Sequence, residues 1–171
     1  SLPARKGAAS SRLPFREPTW LVALITMTEQ SQPPSGILLV EDNSLDARAT
    51  FNAARKLAMA DHIHVVSDGQ AALDYLRNAD HQRPMPALVL LDLNLPGKDG
   101  HAVLAEMQAD PVLQTIPVVV LSTSSDEDEV MRAYQYGANA YITKPTELDG
   151  WTDVIAGINQ FWFSIARLPS G

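Results

Sequence analysis

Glu41 and Asp42 stand side by side directly after the apolar run Ile37–Val40, Asp92 follows the run 87–91, Ser122 the run 118–121, and Lys144 lies just past 140–142. Three acids, a hydroxyl and an amine therefore each sit at the end of a short apolar segment. If those ends converge, the three carboxylates repel one another and raise one another's pKa unless a cation neutralises them. A hard divalent ion is the natural remedy: Mg2+ takes oxygen ligands, keeps several waters and combines one or two carboxylates with phosphate oxygens. A carboxylate beside such an ion can attack phosphorus, while metal, amine and hydroxyl stabilise the charge on the transferred phosphoryl group. Asp92, closing a nearly continuous Val and Leu run, is best placed to be that nucleophile.

Each residue alone has a plainer reading. Glu41 and Asp42 could complement the amino end of a helix, Asp92 could be a strand-end cap, and Lys144 a solvated surface lysine. Pro96-Gly97 and Asp99-Gly100 are ordinary turn dipeptides. Chance caps would not place all of these groups at the ends of four different segments, so the chemical reading is preferred. His62, His64, His81 and His101 show no ligand spacing and are assigned no metal. The acids from Asp126 to Glu129 read as the first turn of a helix, favourable to its dipole.

The elements that must position these groups follow from alternation. Short apolar runs at Ile37–Val40, 63–66, 87–91, 118–121 and 140–142 alternate with helical patterns at 46–58, 69–78, 100–108, 126–136 and 148–165. That is the pattern of βα units closing on a parallel sheet. The third and fourth runs are apolar on both sides, as central strands covered by helices require. Five strands and five helices predict a doubly wound α/β fold, whose ligand sits outside the carboxyl ends of the strands where strand order reverses.

Composition is consistent with one such domain: 171 residues, 46% of them apolar, can bury a single sizeable core. Net charge is −7, and from Met27 onward nine bases face nineteen acids, which argues against a nucleic-acid surface. With no cysteine there is neither a disulfide framework nor a thiolate metal site, which suits a cytoplasmic location. The apolar run from Trp20 to Ile25 is too short to span a bilayer. Residues 1–36, with five prolines and no sustained period, read as a disordered or non-native tail. Met27 is read as a natural start, and the basic stretch before it as tag, upstream translation or a weak targeting segment.

With these motifs in place, the chain resembles the receiver domains of two-component response regulators. The resemblance rests on Leu39-Val40-Glu41-Asp42-Asn43, the stretch from Leu90 through Asp92 to Gly100, Val120-Leu121-Ser122, and Tyr141-Ile142-Thr143-Lys144-Pro145. It covers about residues 37–165, and the spacings Asp92 to Ser122 (thirty) and Ser122 to Lys144 (twenty-two) match the family. It implies a flavodoxin-like fold of strand order 2-1-3-4-5 and phosphorylation of Asp92. Mg2+ would be held by Asp42, Asp92 and the Asn94 carbonyl, with Glu41 helping through water. Lys144 and Ser122 would contact the phosphoryl oxygens, Tyr141 would turn inward behind Ser122 as a switch, and Lys144-Pro145 would be cis. Two positions depart from the common pattern: Glu41 where many members have Asp, and Thr123 where a small Ala is frequent. Thr123 is expected to narrow entry beside the acceptor.

In the last helix Leu148, Trp151, Ile155, Ile158, Trp162 and Ile165 form one apolar stripe, and Val154, Phe161 and Leu168 a second, with Phe163 nearby. The surplus predicts an interface, read as a homodimer through Val154, Phe161, Trp162, Phe163 and Leu168; the plainer alternative is that these residues cover the sheet or meet the tail. The ending Phe161-Trp162-Phe163 to Leu168-Pro169 and the loop before the third strand resemble single-domain regulators that work with phytochrome-type kinases. The domain proper is thus expected over 37–168, extension included. With nothing after Gly171, output is expected through another protein, and the resemblance implies as phosphoryl donor a sensor histidine kinase, of the bacteriophytochrome type, or a phosphotransfer protein. The protein is not expected to be an enzyme beyond its own phosphorylation and dephosphorylation. A phosphohydrolase would need an acid where Asn94 stands, a phosphorylation-independent dimer or adaptor would tolerate loss of the acids that are present, and cofactor binding would need a glycine-rich loop after the first strand.

Overall fold

A computed structural model describes residues 36–79 and 85–169. The expectations for residues 1–35 and for the first part of the loop before the third strand lie outside the described residues.

Three strands form the middle of the sheet because they are apolar on both faces: β1 (Ile37–Val40), β3 (Leu88–Asp92) and β4 (Val118–Ser122) are buried at every position. The flanking strands β2 (Ile63–Val66) and β5 (Ala140–Thr143) are only partly covered, as edges are. The sheet is parallel throughout, in the order β2-β1-β3-β4-β5 that the receiver resemblance implies.

Alternation along each central strand divides the core in two. Leu38, Val40, Val89, Leu91, Val118 and Val120 face one side, against α2 (Gly69–Arg77), α3 (Gly100–Ala109) and α4 (Glu127–Gln135). Ile37, Leu39, Leu88, Leu90, Val119 and Leu121 face the other, where Ala49, Ala53 and Ala54 of α1 (Ser44–Lys56) and Trp151, Ile155 and Ile158 of α5 (Leu148–Asn159) cover them. Burying each such Val or Leu side chain contributes about 1.5–3 kcal/mol before chain entropy is set against it.

Local chemistry sets the helix starts. Asn43, Asp68, Asp99 and Asp126 each accept backbone N–H bonds of the first turn of α1, α2, α3 and α4. The Asn43 cap starts α1 at Ser44, two residues ahead of the expected start, and α1 ends at Lys56 because Ala58 takes a left-handed φ of 56°. The last helix also departs from expectation. Beyond Asn159 the chain continues as a π-helical turn, Gln160–Ile165, whose wider winding displaces the 3.6-residue stripe. Ile165, assigned to the core stripe, is consequently exposed, as is Leu148 at the helix start. Val154, Trp162 and Phe163, assigned to the interface, are each partly buried against this core with the rest of their surface left open, and Phe161 stays half exposed. Among the described residues no helix is long and apolar enough to cross a membrane.

Candidate functional site

Strand order reverses between β1 and β3, and the side chains singled out by spacing meet there. Asp92 and Ser122 are the last residues of β3 and β4, Glu41 and Asp42 follow β1, and Lys144 follows β5. Parallel register does this: the ladder continues past the strands through Lys144 N–H to the Ser122 carbonyl (2.7 Å) and Glu41 N–H to the Val66 carbonyl (2.9 Å). Beneath the site α3 approaches without a side chain in between, since a Cβ on Gly100 would lie 2.4 Å from the Asp92 carbonyl oxygen.

Lys144 is the hub. Its ammonium donates to Glu41 Oε2 (2.6 Å), Asp92 Oδ2 (2.7 Å) and Asp46 Oδ2 (2.9 Å). Glu41, Asp92, Ser122 and Lys144 are all buried, whereas Asp42 is exposed. Backbone amides fix the remaining carboxylate oxygens: Asn94 N–H donates to Asp92 Oδ1 at 2.9 Å, and Asn43 N–H to Glu41 Oε1 at 3.0 Å. Asp92 is thus aimed from both oxygens before any partner arrives.

The electrostatics follow from burial. Burial, reinforced by the nearby Asp92, pushes the Glu41 carboxyl up to about 7, against the pull of Lys144 and the Asn43 amide. For Lys144 burial acts in the lowering direction, but hydrogen bonds to Asp92, Glu41 and Asp46 outweigh it and the ammonium is held well above its usual range. A ligand oxygen from each of Glu41, Asp42 and Asp92 lies within 4.8 Å of the others. An all-oxygen set of this size suits a hard divalent cation, with water completing the shell.

Ser122 is not turned to Asp92. Its hydroxyl donates to Glu129 Oε1 at 2.8 Å and accepts the Ser124 N–H at 3.2 Å. Tyr141, half buried, donates to the same Glu129 oxygen at 2.8 Å and contacts the Ser124 carbonyl at 2.9 Å. Burial, with the Glu129 carboxylate, raises the Tyr141 pKa and keeps the phenol a donor. The Lys144-Pro145 bond is trans, not cis as expected, since no cis peptide occurs among the described residues; trans is the ordinary lower-energy isomer even before proline.

Sequence reasoning missed two acids. Asp46 was read only as a helix start, yet one turn into α1 it reaches Lys144 across 98 positions of chain. Glu129 was read as dipole complement. Its signal was available in the spacing: three residues after the Asp126 cap is the position from which a Glu reaches back to the cap's own N–H. That N–H bonds Ser124 Oγ instead, leaving the Glu129 carboxylate to Ser122 and Tyr141.

Comparison with known proteins matches the stretch of chain that carries these residues. A family model described as response regulator receiver domain matches residues 37–156. The response regulator Rcp1 of Synechocystis sp. is 40% identical over 146 residues, which cover 84% of this chain and 99% of that protein. The phosphorylated cyanobacterial phytochrome response regulator RcpA aligns in structure with a TM-score of 0.74 at 45% identity, covering 80% of this chain and 99% of its own. The Mn2+-bound form of Rcp1 aligns with a TM-score of 0.71 at 40% identity, over 80% of this chain and all of its own (100%).

Proposed function

We propose, from the premise that the chain belongs to the response regulator receiver family, that it accepts a phosphoryl group on Asp92 from a sensor histidine kinase or phosphotransfer protein and signals through the resulting change of surface. The observation that carries this reading is the buried Asp92 carboxylate, held by Lys144 on one oxygen and the Asn94 amide on the other, beside the Glu41–Asp42 pair.

In the transfer, an Asp92 oxygen attacks phosphorus, the P–N bond of the donor phosphohistidine breaks as the P–O bond forms, and the departing imidazole keeps its electron pair and takes up a proton. Lys144, already at the acceptor, follows the charge onto the phosphoryl oxygens. Ser122 donates its hydroxyl to a phosphoryl oxygen, and Tyr141 follows the Ser122 movement inward. Mg2+ is the proposed cofactor, held by Asp42, Asp92 and the Asn94 carbonyl with Glu41 through water; when bound it supplies charge neutralisation for the carboxylates and the incoming phosphate. Rcp1 is known in a Mn2+-bound form, which supports a divalent ion as a ligand of this chain as well. The chain catalyses its own phosphorylation and dephosphorylation and no other reaction, and the reading places it in the cytoplasm.

A phytochrome-type kinase is the proposed donor, because RcpA is described as a phytochrome response regulator and the two chains are 45% identical. The proposed assembly is a homodimer over residues 37–168 through Val154, Phe161, Trp162, Phe163 and Leu168. Its support is the half-exposed Phe161 on the π-helical turn, beside the 69% exposed Ile165. Sedimentation of wild type against Phe161→Asp tests it: a monomer only in the variant is expected, and a monomeric wild type would remove the proposal.

Intact mass after incubation with Mg2+ and acetyl phosphate tests the central reading. One phosphoryl on wild type and none on Asp92→Asn is expected. An adduct that survives Asp92→Asn would assign the acceptor elsewhere, and no beryllium fluoride binding by a wild type that also forms no adduct would favour a phosphorylation-independent adaptor.

A further inference from the structure

The Ser122 hydroxyl carries one proton, and that proton is given to Glu129. The other side of the oxygen is filled by the Ser124 N–H, so the hydroxyl cannot donate to a second acceptor without leaving the first. Glu129 is also the hydrogen-bond partner of Tyr141, and both hydroxyls, each at 2.8 Å, converge on a single carboxylate oxygen. Ser122 is fully buried at the carboxyl end of β4 while Glu129 is half-buried, so water is excluded from the hydroxyl and competes only on the carboxylate side. The acid stands in the first turn of α4, so the contact ties that helix to the ends of β4 and β5.

We propose that Glu129 is a positioning residue that occupies the Ser122 hydroxyl in the unphosphorylated protein and opposes phosphorylation by competing, as an internal anion, with the phosphoryl group for that one proton. The proposal rests on Asp92 being the acceptor. Phosphorylation then exchanges one charged acceptor for another at Ser122. Glu129 loses Ser122 and then Tyr141 as the tyrosine follows inward, so the first turn of α4 is released from both of its tethers to the strand ends. The resting population is biased toward the unphosphorylated arrangement by the Ser122–Glu129 bond, since it must be broken before Ser122 can serve the phosphate. Removing the carboxylate frees the hydroxyl in advance. Because an acceptor that is charged makes the stronger kind of hydrogen bond, and Glu129 is only half buried, the expected gain in affinity for a phosphoryl mimic is about tenfold.

The sign of the effect separates this role from a structural one. A residue that only braces the fold leaves phosphoryl binding unchanged or weaker when it is removed, whereas a competing anion makes it tighter. The test is a 19F NMR titration of the Mg2+-loaded full chain with beryllium fluoride, for wild type, Glu129→Ala and Glu129→Gln, each also combined with Ser122→Ala, and with Asp92→Asn as reference. The expected result is half-saturation at about one tenth of the wild-type concentration for Glu129→Ala, a smaller gain for Glu129→Gln, and no gain in either when Ser122 is already Ala. Glu129 variants that bind like wild type, or more weakly, overturn the proposal, and so does tightening that persists without Ser122. If wild type binds no beryllium fluoride, or Asp92→Asn binds it equally well, the acceptor reading falls and this inference falls with it; a normal wild type beside unchanged Glu129 variants removes the inference alone.

Discussion

Replacing Lys144 by Met removes the one cation that Glu41, Asp92 and Asp46 share while keeping most of the side-chain volume, and we predict a loss that depends on both pH and Mg2+. The Glu41 and Asp92 side chains are 1% and 6% exposed and Asp46 25%, so the first two carry the cost and Asp46 is largely relieved by water. Breaking a buried charge pair by deleting one partner costs roughly 3–5 kcal/mol; with Glu41 able to take up a proton near neutral pH, the lower end, about 3 kcal/mol at pH 8 without divalent ions, is expected. For a domain of this size that is a fall in Tm of about 10 °C. The Lys144 ammonium has its pKa raised, so its contribution is complete below the unfolded value of 10.5 and is lost only as pH rises through the still higher folded value; between pH 5 and 8 it is constant. Glu41 has its pKa raised from 4.5 to about 7, so the native state binds the extra proton in that window and stability falls as pH rises through it. Without Lys144 that proton is held more firmly. The deficit of Lys144→Met should therefore shrink to about half at pH 5, where Glu41 is neutral, and should shrink at pH 8 when millimolar Mg2+ supplies the missing charge. Urea unfolding of wild type and variant at pH 5 and pH 8, with EDTA or Mg2+, measures all four values. A variant within about 1 kcal/mol of wild type at pH 8 in EDTA, or a deficit indifferent to pH, would refute the reasoning.

Asp42→Asn should weaken Mg2+ binding by roughly tenfold or more yet change stability in EDTA by no more than about 0.5 kcal/mol, because Asp42 is exposed; calorimetric titration and urea unfolding check the two halves. Gly100→Ala would place a Cβ 2.4 Å from the Asp92 carbonyl oxygen and 2.6 Å from Leu93 Cα, both backbone atoms. The end of β3 must shift, and a loss of about 2–3 kcal/mol with slower phosphoryl uptake from acetyl phosphate is expected; wild-type behaviour in both assays would show that the strand and α3 can separate freely. Thr123, exposed and next in the chain after Ser122, should slow attack of water on the aspartyl phosphate, so Thr123→Ala should shorten the phosphoryl lifetime in a quenched mass measurement, and an unchanged lifetime would remove that role.

Local pattern made most of the scaffold legible. Continuous Val and Leu in the third and fourth runs could only be strands covered on both faces, and β3 and β4 are buried at every position. The strand bounds shifted by a residue so that Asp92 and Ser122 became the last ladder positions, which a hydropathy pattern underestimates because polar end residues look like loop. Helix α1 starts at its Asn43 cap because a side-chain oxygen facing free N–H groups outweighs the apolar period. The π-helical turn at Gln160–Ile165 left no such local signal: Trp162 and Phe163 are drawn onto the core under α5, and the stripe extrapolated from Leu148 ended on an exposed Ile165.

Sequence by itself determined the strand and helix order, the parallel sheet and the arrival of Glu41, Asp42, Asp92, Ser122 and Lys144 at one end of it, because periodicity, caps and strand-end position are properties of short stretches of chain. Only the tertiary structure decided how those groups share partners. Lys144 chooses among acids that lie 52, 98 and 103 positions away, and Glu129 turns to Ser122 and Tyr141, 7 and 12 positions away, in place of its own helix cap. A hydrogen bond is settled within a few tenths of an ångström, and that distance is fixed only when separate strands and helices pack against a common core.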